Sequence, residues 1–230
     1  MNISDILSRS WSLYTRFFTR FVVIAGAFYL VLNLVGALLV EAAGDSGSGV
    51  ILLAFANLAL AVVGTYWVQG ALVEATVDVE DGQADIPIAE LFGRVAPVLG
   101  PLIGAGLLAG LGIGIGLLLF IVPGLYLMTR WALIVPAIVL EKTPAMQSFG
   151  RSSQLVTGNG WNMLGLLVII FVIAVISGAI VSGVLGSIFP TFLGNWIGNT
   201  IANSLVTPFQ AIAITLVYRD LSRTSPKPAA

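Results

Sequence analysis

Six side chains carry charge or strong polarity where water is scarce: Glu74, Arg94, Arg130, Glu141, Arg151 and Asn203. Arg130 is the only charge predicted inside a membrane span, and ionisable residues there are functional candidates by default. It lies six residues beyond the Pro123-Gly124 turn, about 9 Å down a helix. A long arginine can snorkel from that depth to the outer interface. Snorkelling, a hydrogen-bonding hub and a substrate-binding role all fit its position. Glu74 and Glu141 close the inner ends of the second and fourth predicted spans, within reach of the basic segments holding Arg94 and Arg151. Asn203 belongs to a neutral polar set with Asn33, Asn57, Gln69, Asn199 and Gln210. These either hydrogen-bond between helices or line a polar cavity with Arg130.

The chemistry open to such residues is narrow. The chain has no histidine and no cysteine, which removes the commonest general base, the commonest metal ligand and all thiol chemistry. No Walker loop and no GxSxG elbow is present, and the GIGIG run at 112–116 follows no strand. Glu74, Asp78, Glu80, Asp81, Asp85 and Glu90 form an acidic cluster without EF-hand spacing, so a solvated inner loop is expected there. The reading is non-enzymatic, with no cofactor, no metal and, at a formal net charge of −1, no nucleic-acid partner.

The elements that position these residues follow from hydropathy. The 230 residues are 58% hydrophobic and 9% charged, against about 25% charged in soluble domains. Mean hydropathy is +1.02. The bilayer must act as solvent for much of the surface. Apolar stretches predict spans at about 17–40, 50–73, 96–121, 125–140, 161–188 and 196–218, with 222–230 as a disordered tail. The run from Phe21 to Val40 is too long for a cleaved signal core. EAAGDSGSG at 41–49, Val122-Pro123-Gly124 and 189–195 read as turns. Nine of the ten basic residues fall in the N-terminal stretch through Arg20, in 74–96, in 141–160 or from Arg219 onward, and none falls in those three turns. Basic residues collect in cytoplasmic segments, so both termini are expected inside.

Residues 87–94 read PIAELFGR and residues 144–151 read PAMQSFGR. Both match Pro-x4-Phe-Gly-Arg, with Asp85 and Thr143 as expected N-caps. The leader is similar in kind: Ser4 is an expected cap, and Ile3, Leu7, Trp11 and Tyr14 recur at helical spacing. Arg9-Ser10-x-x-Leu13 echoes Arg151-Ser152-x-x-Leu155. The fold expected is therefore an all-α membrane protein of six transmembrane helices, arranged as three hairpins. Each hairpin follows a cytoplasmic interfacial amphipathic helix whose basic residues could meet anionic lipid headgroups. Small residues at Gly100, Gly104, Gly106, Gly110, Gly112, Gly114 and Gly116, and at Ala174, Gly178, Ser182 and Gly186, are expected to pack helices within one subunit.

Between 122 and 165 the sequence becomes specific, with Pro123-Gly124, Arg130-Trp131, Pro136, Glu141, Ala145, Arg151-Ser152, Leu155, Gly158, Trp161 and Gly165, and it closes on Pro208-Phe209 and Tyr218-Arg219-Asp220-Leu221. This pattern resembles the membrane-domain family of glycerophosphoryl diester phosphodiesterase. The resemblance implies a multi-span domain of hairpin repeats in a prokaryotic cytoplasmic membrane. It supplies no catalytic residue, because in that family the hydrolase is a separate barrel that needs histidine and carboxylate metal ligands. The expected role is a membrane scaffold or lipid-interacting module. The alternative is a small transporter or channel for amphiphiles, with Arg130 in a polar cavity.

Overall fold

Backbone amides have no water to bond inside a bilayer, so long apolar runs must satisfy themselves as helices. The computed structural model, which describes residues 1–43, 47–188 and 191–224, is all-helical over those residues. The helices are α1 (Ile3–Arg16), α2 (Phe18–Ala43), α3 (Gly47–Asp78), α4 (Ile88–Val95), α5 (Leu99–Leu119), α6 (Ile121–Arg130), α7 (Ile134–Glu141), α8 (Ala145–Val156), α9 (Gly160–Ile188) and α10 (Thr191–Thr224). A short 3-10 turn, Ala96–Val98, joins α4 to α5. Among the described residues, six stretches are long and apolar enough to cross a membrane: Phe18–Gly36, Val50–Asp78, Ile88–Leu119, Ile121–Glu141, Gly160–Val181 and Thr200–Thr224. Parts of the expected 41–49 and 189–195 turns, and residues 225–230 of the expected tail, lie outside the described residues. α10 itself runs through Thr224, three residues into that tail.

The most extensively packed pairs are α2 with α3, α5 with α6 and α9 with α10, and α2 against α10 follows closely. α10 is the hub, touching α1, α2, α3, α7, α8 and α9. Every residue from Ala211 to Tyr218 is buried. The outer faces of α2, α3, α5 and α9 expose leucine, valine, isoleucine and phenylalanine, as a lipid-facing surface requires.

The short helices bury one face each. α8 buries Ser148, Arg151, Ser152, Leu155 and Val156, spaced by three and four, and α4 buries Leu91 and Val95. In α1 the buried ridge is Ile6, Ser10 and Tyr14. Trp11, which shares the apolar spacing of Ile3, Leu7 and Tyr14, is 61% exposed. The caps differ from expectation. Asn2, not Ser4, caps α1 by accepting from Ser4 N at 3.1 Å. Pro87 and Pro144 occupy the cap positions of α4 and α8 with no side-chain cap bond. Thr143 instead donates to Ala137 O at 3.1 Å, tying down the end of α7.

The fourth span departs furthest from a simple rod. The reversal falls at Phe120, which is extended (φ −155°, ψ 141°), so Pro123 and Gly124 sit in the first turn of α6. Proline is tolerated there because first-turn amides have no intrahelical partner. Gly116 and Gly124 let the two arms close: a Cβ on Gly116 would meet Gly124 Cα at 3.0 Å. Residues 131–133 then break the span into α6 and α7. The glycine ridge divides too. Gly106 abuts Tyr66, and a Cβ on Gly112 would reach Trp131 at 2.6 Å, whereas nothing lies within 4 Å at Gly100, Gly104, Gly110, Gly114 or Gly178. Only part of the small-residue stripe therefore packs within the subunit.

Candidate functional site

Charged residues gather at one end of the bundle, where chain-distant groups pair. Glu80 meets Arg219 at 3.0 Å, Arg223 at 3.4 Å and Arg9 at 4.0 Å. Arg9 also bonds Asp220 at 2.9 Å. Arg20 reaches Asp78 at 2.5 Å and Ile86 O at 2.6 Å. Lys142 lies 3.6 Å from Glu74. Of the acidic cluster expected as a solvated loop, Asp78 and Glu80 are thus spent on stitching α1, α2, α3 and α10 together, Glu74 faces Lys142, and Asp81 and Asp85 are exposed as expected.

Glu141 and Arg151 pair as their positions allow. Glu141 Oε1 accepts from Arg151 Nε at 3.0 Å and Nη2 at 2.8 Å, and it also accepts a very short hydrogen bond from Tyr218 OH. Burial alone depresses the Arg151 pKa, but the hydrogen bonds and charge of Glu141, with Tyr218, outweigh it and hold it above the ordinary value. The side chains are only 7% and 16% exposed. Arg94, at the matching position of the first repeat, instead bonds Glu90 within its own helix at 2.6 Å, and that pair is 44% and 52% exposed. The repeats agree better at their phenylalanines. Phe92 meets Trp67 edge-on at 5.9 Å, and Phe149 meets Trp131 edge-on at 5.0 Å.

Arg130 turns away from the Phe120 reversal. Its Nη1 donates to Ser153 O at 3.1 Å and Thr157 Oγ1 at 2.8 Å, both near the C-terminal end of α8, and its guanidinium lies 5.5 Å from the Tyr126 ring centre. Snorkelling to the outer turn is therefore replaced by a hub between α6 and α8. Ser152 completes it: its hydroxyl donates to Arg130 O at 2.7 Å and accepts from Leu133 N at 3.1 Å. One side chain of α8 thus satisfies two of the backbone groups at the break. No local pattern in residues 130–134 announces this partner.

A cavity of about 600 Å³ lies among α3, α5, α6, α7, α9 and α10. That is within the range of small-ligand sites. Its wall is mostly apolar, with Ile113, Leu117, Met128 and Phe171 among the lining residues, and its polar groups are Gln69, Thr207 and Gln210. Trp131 and Ala132, from the break, also line it. Neither Arg130 nor Asn203 contributes; Asn203 is exposed elsewhere on α10. The neutral polar set divides accordingly. Asn33 bonds Thr200 across helices at 2.9 Å, Asn57 packs on Gly36, the side chain of Asn199 lies outside the described residues, and Gln69 and Gln210 face the cavity.

These features define a class: a helical, multi-pass membrane protein with a paired charged end and a partly open, mostly apolar cavity among its helices. Residues 107–218 match the family described as the membrane domain of glycerophosphoryl diester phosphodiesterase. Arg130, Glu141, Arg151, Thr207, Gln210 and Tyr218 all fall within that match, and Gln69 precedes it. No curated protein and no solved structure matches the chain.

Proposed function

We propose that the chain is a non-enzymatic, lipid-interacting module of a prokaryotic cytoplasmic membrane, with its termini and α1, α4 and α8 at the inner face. The observation that carries the lipid reading is the mostly apolar cavity within the spanning helices. The amphipathic helices support it less directly. Each juxtamembrane Lys or Arg attracts an anionic surface by about 1 kcal/mol, but here most of those cations already face carboxylates. Exposed Trp11 and Trp161 suit the interfacial belt where such rings collect. The non-enzymatic reading rests on a sequence without histidine or cysteine and on charged groups committed to one another.

The test is lipid capture. Protein purified in nanodiscs is expected to retain an amphiphile detectable by native mass spectrometry. Ala174→Trp, which fills the cavity from α9, is expected to lose it while still folding. Retention unchanged in that variant would defeat the reading.

A second reading, movement of amphiphiles across the bilayer, is favoured by the helix break that lines the cavity, since interrupted helices mark transporter sites. It requires amphiphile exchange between leaflets of proteoliposomes, and passive leaflets equal to protein-free controls would remove it.

A further inference from the structure

The polar groups of the cavity share one property: all are neutral. Gln69, Thr207 and Gln210 line it, and none of the described basic or acidic side chains does. The nearest candidate cation in sequence, Arg130, is spent on Ser153 and Thr157. The two amides also lie at matching depth. Glu80 and Arg219 meet at 3.0 Å at the charged end. Gln69 is eleven residues before the first and Gln210 nine before the second. At 1.5 Å per residue both amides sit about 14–17 Å from that pair, each inside a stretch long and apolar enough to cross a membrane. Neither amide hydrogen-bonds to a described residue, while Thr207 Oγ1 lies 3.4 Å from Tyr29 OH. Polar groups at such depth are costly unless something completes their bonding.

We propose that the cavity binds an uncharged amphiphile with one alkyl chain and a small hydroxyl-bearing head, held by Gln69, Gln210 and Thr207. This rests on the lipid-binding reading and narrows it. The chemistry is one of matching. An amide offers both N–H donors and a carbonyl acceptor, and a hydroxyl is both donor and acceptor. A carboxylate or phosphate is an acceptor that would leave the amide carbonyls unpaired. It would also bring a charge with no counter-charge in the wall, at severe desolvation cost. The volume suits one chain with a small head rather than a two-chain phospholipid.

The experiment uses the whole protein in nanodiscs and three photoreactive probes of equal chain length: a monoacylglycerol, a fatty acid and a lysophosphatidic acid. Labelling is read by peptide mapping, and affinity by competition. The monoacylglycerol is expected to label peptides from α9 and α10 and to bind at least tenfold more tightly than either anion. The double variant Gln69→Leu, Gln210→Leu keeps an apolar cavity. It is expected to hold its melting temperature, retain labelling and lose that tenfold preference. An anion binding as well as the monoacylglycerol would overturn the neutral-head inference while leaving lipid binding intact. A preference that survives in the double variant would overturn the assignment of the two amides. Labelling of the cavity by no probe would remove the lipid-binding reading itself.

Discussion

Glu141 is the residue on which most depends at the charged end. Three donor atoms from two helices converge on one of its oxygens, and its partner Arg151 is almost fully enclosed. Removing one member of a buried pair costs about 3–5 kcal/mol, because the other charge stays buried without its counter-ion. Glu141→Ala is therefore expected to lower thermal stability in detergent by that amount, with Glu141→Gln intermediate. Glu90→Ala breaks the exposed counterpart in α4 and should cost about 0.5 kcal/mol or less. The raised Arg151 pKa keeps its contribution fully present below the unfolded value, so moving from neutral to mildly alkaline pH leaves the pair intact. Ser152→Ala strands two backbone groups at the break and is expected to cost about 1–3 kcal/mol, measured in the same melts. Half of this was legible in advance. Glu141 and Arg151 are close in sequence, with opposite charge at one membrane edge. The Tyr218 hydroxyl and the turn of Arg130 toward α8 were not, because each is set by packing with a segment distant in the chain.

Among the elements, the hairpin of α5 and α6 is the most exacting. Its arms touch at Gly116, where the Gly124 backbone is the nearest neighbour, and at Gly124, which faces Leu117. Gly116→Ala must push the arms apart and is expected to lower stability by about 1–3 kcal/mol. Gly110→Ala enters open space and is expected to be neutral or stabilising by up to about 1 kcal/mol. Opposite signs in parallel melts would establish which glycines close the hairpin. Hydropathy reveals the spans because it is a local sum over some twenty residues. It cannot reveal the interruption of the fourth, since Trp131, Ala132 and Leu133 carry no turn signal. The break persists because Ser152 supplies what the helix gives up. The reversal at Phe120 was hidden for a related reason: Pro123-Gly124 punctuates the sequence, but its proline starts a helix as readily as it ends one.

For the whole molecule, the separation of basic residues predicts that the charged end faces the cytoplasm. With no native cysteine, single substitutions give a clean test. Gln83→Cys is expected to resist a membrane-impermeant maleimide in intact cells, and Ile121→Cys to react with it. The reverse pattern would invert the topology. Ion pairing organises that end, and this was illegible because several of the partners lie far apart in the chain. Only a folded bundle places Arg9 against Asp220 or Glu80 against Arg219.

That arrangement has a consequence for biogenesis. α1 emerges from the ribosome long before α10, its main docking surface: Arg9 waits for Asp220, and Tyr14 for Leu205 O, which it reaches at 3.1 Å in the helix that holds Pro208. At about 5–20 residues per second, the 211 residues separating Arg9 from Asp220 impose a delay of about 10–40 s. Throughout that interval the newly made chain presents an amphipathic helix without its main partner, α10. A nascent chain stalled before α10 would be marked, for chaperone or protease, by the segment that the finished protein conceals.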